Sequence, residues 1–189
     1  MDITPEILEK CARDDRKAIQ FLYEYCFKIL MPVCHRYHVN EEDARSSFNL
    51  GFIKILKSLK TVDSDVNIGG WAKRIMVNTL IDEYRKTKNY NSHISSRESE
   101  WELDIQGSSS DNEGEGNMGY ELILQLVKEL PEVTGRVFNL YVIEGYAHKE
   151  IGELLDMSEG TSKWHLSTAR KLLREKLEHI ENANKKMVV

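Results

Sequence analysis

Tyr146-Ala147-His148-Lys149-Glu150-Ile151-Gly152-Glu153-Leu154-Leu155-Asp156-Met157-Ser158-Glu159-Gly160-Thr161-Ser162-Lys163-Trp164-His165-Leu166 predicts a short helix, a three-residue turn and the start of a long helix. In that second helix Ser162, Leu166, Ala169, Leu173 and Leu177 recur three or four residues apart and make an inward face. Trp164, Thr168 and Lys171 point away from it, flanked by Lys163, Ser167, Arg170 and Arg174. Between 160 and 176 five basic residues stand against one acid, a positive stripe on an otherwise acidic chain. An amphipathic helix with a free polar amino-terminal end and basic flanks has the geometry for entering a major groove. An outward Trp164 is costly in water unless DNA or a partner covers it. The competing reading is a plain helical hairpin with a solvated basic face.

The flanking segments also read as helix. Residues 122–130 form one helix stopped by Pro131, and 133–143 another, followed by Gly145 at a capping position. The last helix begins at Ser158 or Glu159 and runs to about 182. Near the amino terminus Ile19, Leu22, Cys26, Ile29 and Leu30 share one helical face, and Pro32 is expected to end or kink that run. Asn40 is placed to cap a helix bearing Ala44, Phe48, Phe52, Ile55, Leu56 and Leu59, and residues 61–70 have loop chemistry. No convincing strand alternation occurs, so the chain is expected to be all-α.

A further helix is expected over 71–86, with two chemically different faces. Ala72, Ile75, Met76, Thr79 and Leu80 suit a core. Trp71, Arg74, Asn78, Asp82 and Arg85 gather on the other side within an arc of about 80°. Arginine holds phosphates, asparagine reads base edges and an aromatic stacks on an unpaired base, so this set suits nucleic acid. A solvated face with Trp71 tucked under the preceding loop is the alternative, and Asp82 fits a structural role as an anchor for Arg85 or that loop.

The net charge of −5 is unevenly spread: +2 over 1–98, −7 over 99–121 and 0 over 122–189. The acidity thus belongs to one Ser-, Gly- and acid-rich stretch that cannot bury enough apolar surface to order itself, and 91–119 is expected to be a flexible linker. Two small domains, 1–90 and 120–182, and a tail at 183–189 follow. No apolar run reaches the length of a bilayer span and the start lacks secretory-signal character, which predicts a cytoplasmic protein without membrane insertion. Three cysteines do not make a disulfide framework. Cys34, His35 and His38 lack a fourth ligand, so no metal is expected. No nucleophile elbow or phosphate-cradling glycine loop is present, and the chain is expected to be neither an enzyme nor a cofactor carrier.

The stretch Gly70-Trp71-Ala72-Lys73-Arg74-Ile75-Met76-Val77-Asn78-Thr79-Leu80-Ile81-Asp82-Glu83-Tyr84-Arg85-Lys86 resembles the promoter-melting helix of the extracytoplasmic-function (ECF) sigma factors of bacterial RNA polymerase. Leu130-Pro131-Glu132, Val137-Phe138-Asn139-Leu140, Glu144-Gly145-Tyr146, His148-Lys149-Glu150-Ile151, Ser158-Glu159-Gly160-Thr161-Ser162-Lys163 and Ala169-Arg170-Lys171-Leu172-Leu173 resemble that family's carboxy-terminal domain. The resemblance implies that domain 1–90 docks on the clamp helices of the largest polymerase subunit and opens the minus-ten element, while 120–182 reads the minus-thirty-five element. It places Asn78 and Arg85 against the melted strand with Trp71 at the start of their helix, and Lys163, Trp164, His165, Ser167 and Thr168 toward the major groove; Arg74 and Lys171 join these two DNA-binding sets by sharing their helical faces. Loop 61–70 corresponds to the family's segment that captures a flipped base. Asn49, Leu50, Ile53 and Lys54 fall on the polymerase-facing helix, where Ser46, Asn49 and Leu50 replace the family's common acid, glutamine and acid. Trp164 is bulky for a groove-reading position and implies an unusual promoter element. The implied partners are core RNA polymerase, promoter DNA and an anti-sigma protein of the kind that holds many relatives inactive. Two alternatives stay open: a helix-turn-helix regulator that binds duplex DNA without polymerase, and a helical adaptor without DNA.

Overall fold

The structure, a computed structural model, describes residues 3–62, 66–94 and 118–187, and among these the only regular structure is helical. The helices are α1 (Pro5–Ala12), α2 (Arg16–Tyr37), α3 (Glu41–Ser58), α4 (Ile68–Ile94), α5 (Met118–Lys128), α6 (Glu132–Phe138), α7 (His148–Leu155) and α8 (Glu159–Met187). A 3₁₀ turn at Leu59–Thr61 follows α3, and a π turn at Asn139–Ile143 extends α6. Two compact units divide the chain, Met1–Ser99 and Glu100–Val189. The expected flexible linker falls mostly outside the described residues; α4 and α5 nevertheless extend into 91–119, to Ile94 and from Met118.

In the first unit α2, α3 and α4 pack against one another and α1 lies on α2. Leu22, Cys26 and Leu30 of α2, Phe48 and Ile55 of α3, and Met76, Leu80 and Ile81 of α4 are buried together as its core. Asn40 caps α3 as expected: its Oδ1 accepts the Asp43 backbone N–H at 2.9 Å. Pro32 does not end α2. The helix continues to Tyr37 because Val33 and Cys34, just beyond the proline, are buried. The missing N–H falls on an exposed part of the helix, where water can satisfy the freed carbonyl of Lys28.

The three cysteines are free and buried. Burial pushes the Cys26 and Cys34 thiols up to about 12 and raises Cys11 as well. Thiol reagents require thiolate and access. At pH 8 the folded protein is therefore expected to leave all three cysteines unmodified by Ellman's reagent over minutes, and to react fully once unfolded in guanidinium. Rapid labelling of folded protein would contradict the packing of α2.

In the second unit α8 is the spine against which α5, α6 and α7 pack. Val137, Leu140, Ile151, Leu155, Leu166 and Ala169 are buried at its centre. The segment expected as one helix over 133–143 widens at Asn139, where the Glu144 N–H reaches back to the Asn139 carbonyl at 3.0 Å. The wide turn keeps Asn139 and Leu140 inside while Tyr141 and Val142 face water. Gly145 then takes φ +78°, the left-handed conformation expected of a glycine cap.

The turn between α7 and α8 is a tight one. Asp156 takes φ 55°, and the Met157 N–H donates to the Gly152 carbonyl at 3.0 Å, closing α7 in a Schellman motif. Ser158 caps α8, its Oγ accepting the Thr161 N–H at 3.0 Å. A Cβ on Gly152 would lie 2.7 Å from the Met157 carbonyl oxygen, so only glycine permits so close a passage.

Candidate nucleic-acid interface

Asn67 starts α4 earlier than the spacing predicted. Its Oδ1 accepts the Gly70 N–H at 3.0 Å and its carbonyl accepts the Trp71 N–H at 2.9 Å. That cap satisfies the first-turn donors and carries Gly69 and Gly70 into the helix. Residues 63–65, within the loop expected to hold a flipped base, lie outside the described residues.

The two-faced reading of α4 matches the placement of its residues. Ala72, Met76, Thr79 and Leu80 are fully buried, joined by Val77 and Ile81, and Ile75 is half-buried. The Thr79 hydroxyl donates to the Ile75 carbonyl at 2.8 Å, which is how a polar group is accommodated on the inner face. Arg74, Asn78, Asp82 and Arg85 are exposed and Trp71 is half-buried at the head of the helix. Asp82 is tied across to α3: the Lys54 ammonium lies 3.0 Å from its Oδ2. Its anchor among the described residues is thus Lys54 and not Arg85. Both groups are substantially exposed, so the pair contributes at most about 1 kcal/mol.

On α3, Asn49, Leu50 and Ile53 face outward next to Lys54. Leu50 and Ile53 form an exposed apolar pair, and the Tyr23 hydroxyl reaches the Asn49 side-chain oxygen at 3.4 Å.

On α8 the inward face is buried at Ser162, Leu166, Ala169 and Leu173, with Leu177 half-buried. Lys163, Trp164, Ser167 and Lys171 are exposed, as are Arg170 and Arg174, and Thr168 is half-buried. Acids on the same helix temper two of the cations. Glu159 lies 2.6 Å from Lys163, whose hydrogen bond holds the Glu159 carboxyl below its usual range, and Glu175 lies 3.9 Å from Lys171.

His165 is the exception on this face. It is half-buried, and its Nδ1 lies 3.0 Å from the Thr134 hydroxyl on α6. A second clasp joins α7 to α8, where His148 Nδ1 meets the buried Ser162 hydroxyl at 2.9 Å and the imidazole stacks on Tyr141 at 4.3 Å. Thr134 and His148 have no place in the sequence-derived site. The one available signal was Ser162, a hydroxyl in an otherwise apolar stripe, which had to find a buried partner.

Burial lowers the pKa of His165 below its ordinary value of 6.5. The unfolded chain therefore binds this proton more readily than the folded unit. The stability contributed is complete above about pH 6.5 and is lost as pH falls through the lower folded value. Urea unfolding of the second unit is expected to shift to lower denaturant between pH 7.5 and pH 5, and His165→Gln should shrink that shift. An unchanged shift in the variant would assign the dependence elsewhere.

Cys34 and His38 do not converge on a common point with other ligands. His38 Nε2 is occupied by the Ser47 hydroxyl at 2.8 Å, His35 faces Glu41 at 3.4 Å, and among the described residues no three His, Cys, Asp or Glu side chains are placed to hold a metal. Nor is any helix among them long and apolar enough to cross a membrane.

Comparison with known proteins places family matches over both units. Residues 22–90 match Sigma-70 region 2 and residues 120–173 match Sigma-70, region 4. The chain is 30% identical over 135 residues to the RNA polymerase sigma factor SigZ of Bacillus subtilis (strain 168), covering 69% of this chain and 72% of that one. It is 23% identical over 186 residues to the ECF RNA polymerase sigma-E factor of Haemophilus influenzae, covering 91% and 94%. Among solved structures it is similar to the sigma factor RpoE of Bartonella quintana, determined in complex with the anti-sigma factor NepR. The TM-score is 0.55 at 15% identity, over 86% of this chain and 98% of that chain.

Proposed function

The chain belongs to the extracytoplasmic-function sigma factors, and from that premise we propose how it divides the work of transcription initiation between its two ends. Domain 1–90 docks on core RNA polymerase, with Asn49, Leu50, Ile53 and Lys54 of α3 against the clamp helices of the largest subunit. The exposed face of α4 takes the melted minus-ten strand. Arg74 and Arg85 hold phosphates, Asn78 reads a base edge and Trp71 closes the upstream end. Unstacking a base costs a few kcal/mol, which these contacts offset only once the strand is open. Residues 91–119 tether this domain to the second, where α8 enters the major groove of the minus-thirty-five element; α8 runs on to Met187, past the end expected near 182 and into the expected tail.

The observation that carries the reading is the outer face of α4. Arg74, Asn78 and Arg85 stand exposed without an ion-pair partner among the described residues, on a helix whose opposite face is buried at Ala72, Met76, Thr79 and Leu80. A regulator that binds only duplex DNA through α8 has no use for that face. The protein is then a non-catalytic subunit that works beside polymerase in the cytoplasm. Its proposed inhibitory partner is an anti-sigma protein, the class bound to the Bartonella relative.

Reconstitution with core polymerase tests this. The mixture is expected to initiate at defined promoters, whereas the protein alone leaves promoter duplex unshifted. Asn78→Ala is expected to reduce strand opening, read by permanganate reactivity of unpaired thymines, by about tenfold or more. Lys163→Ala is expected to weaken closed-complex formation. Both positions are exposed, so stability should stay within about 0.5 kcal/mol. A tight shift of duplex DNA without polymerase, with Asn78→Ala silent, would favour the regulator.

A further inference from the structure

Trp164 remains 62% exposed on α8, the largest apolar side chain to stand in water among the described residues. It is surrounded by polar and cationic groups: Lys163 precedes it, and Ser167, Thr168 and Lys171 share its face at helical spacing. That setting is complementary to DNA, whose phosphates the lysines would engage. An indole has a single N–H donor and no acceptor, so it is unsuited to the bidentate pairing by which arginine or asparagine distinguishes bases. What it offers the groove is apolar area. In the major groove the apolar feature on a base edge is the C5-methyl group of thymine.

The indole is also held in place. It lies edge-on to the His165 ring at 4.8 Å with an interplanar angle of 72°, and His165 is itself fixed at 3.0 Å by the hydroxyl of Thr134, a buried residue of α6. An anchored aromatic loses less freedom on binding than a free one. We propose that Trp164 is a specificity-determining prong that reads thymine methyl groups in the minus-thirty-five element, with His165 and Thr134 as the positioning residues behind it. This rests on the reading that α8 enters duplex DNA.

The test uses holoenzyme assembled from core polymerase and the full chain. Randomised duplex DNA is selected with wild-type protein and with Trp164→Ala and Lys163→Ala variants. Thymines in the selected upstream element are then replaced by deoxyuridine, which removes only the methyl group and leaves the protein untouched. Wild-type selection should yield one or two thymines that become degenerate with Trp164→Ala while the remaining positions persist. Deoxyuridine should weaken wild-type binding about three- to fivefold per methyl, as expected for burial of one such group, and should leave the alanine variant indifferent. Thr134→Val should reduce this thymine-to-uracil discrimination. Equal binding of thymine and uracil by wild-type protein, with Lys163→Ala still altering the selected element, would overturn the prong and leave α8 in the groove. If Trp164→Ala lost initiation with an unchanged element and unchanged uracil response, the indole would face a protein, which also overturns the proposal. An element unaltered by either variant would instead remove α8 from DNA altogether.

Discussion

Replacing Phe48 with alanine is expected to take about 3–5 kcal/mol from the stability of the first unit, the range for deleting a fully enclosed aromatic ring. Phe48 has no exposed surface. Its ring centroid lies 5.3 Å from that of Tyr23 and 5.2 Å from that of Phe27, both edge-on, and 6.1 Å from the stacked ring of Phe52. Three aromatic contacts are lost and a large void is left, and neighbours fixed on α2 and α3 can close only part of it. A domain stable by about 5–15 kcal/mol is left marginal by such a loss. Guanidinium unfolding followed by circular dichroism, with hydrogen exchange resolved over α2, α3 and α4, measures it. Phe48→Leu, which keeps much of the volume, should cost roughly half as much or less. A cost below about 1 kcal/mol for the alanine variant would mean that these rings do not pack as described. On the proposed docking through Asn49, Leu50 and Ile53 of the same helix, polymerase binding should weaken in parallel with stability.

Gly152→Val should destabilise the second unit by about 1–3 kcal/mol, an overpacking cost that exceeds the few tenths of a kcal/mol by which valine betters glycine in helix propensity. The new Cβ would stand 2.7 Å from the Met157 carbonyl oxygen and 3.6 Å from the Glu159 nitrogen, and both atoms are backbone. Backbone cannot step aside as a side chain can. The turn that sets α8 against α7 must open instead, straining the Met157-to-Gly152 hydrogen bond and the His148–Ser162 clasp. Gly152→Ala gives a sharper test because the opposing propensity gain is larger. Helix propensity alone predicts a gain of up to about 1 kcal/mol; steric exclusion predicts a loss. Urea unfolding of the two variants decides between them, and a stabilised alanine variant would show the turn to be looser than the geometry indicates. Initiation that depends on the upstream element should fall with both substitutions, since the presentation of α8 depends on this turn.

Periodicity made the inner faces of α4 and α8 legible before any coordinates. Met76, Thr79 and Leu80, and Ser162, Leu166 and Ala169, recur every three or four residues because a helix must present one stripe to its neighbours. Caps were legible for the same local reason: Asn40 and Gly145 act on backbone groups within a few positions of themselves. Of the two outcomes expected at Pro32, an end is excluded, because the local penalty is outweighed by burial of Val33 and Cys34, a tertiary gain that propensity does not contain. The π turn after α6 likewise follows from the enclosure of Asn139 and Leu140, whereas the early start of α4 is a local effect of the Asn67 cap.

Helical character, the polar arc on one helix and the basic stripe on another were written in the order of residues, because these depend on spacing along a single helix. Tertiary structure alone decided which members of those faces are already engaged. Asp82 is held by Lys54, 28 positions away, His165 by Thr134, 31 away, and Ser162 by His148, 14 away. No helical repeat links such positions; only the packing of separate helices brings their polar atoms within hydrogen-bonding range, and that packing leaves Trp164 facing outward.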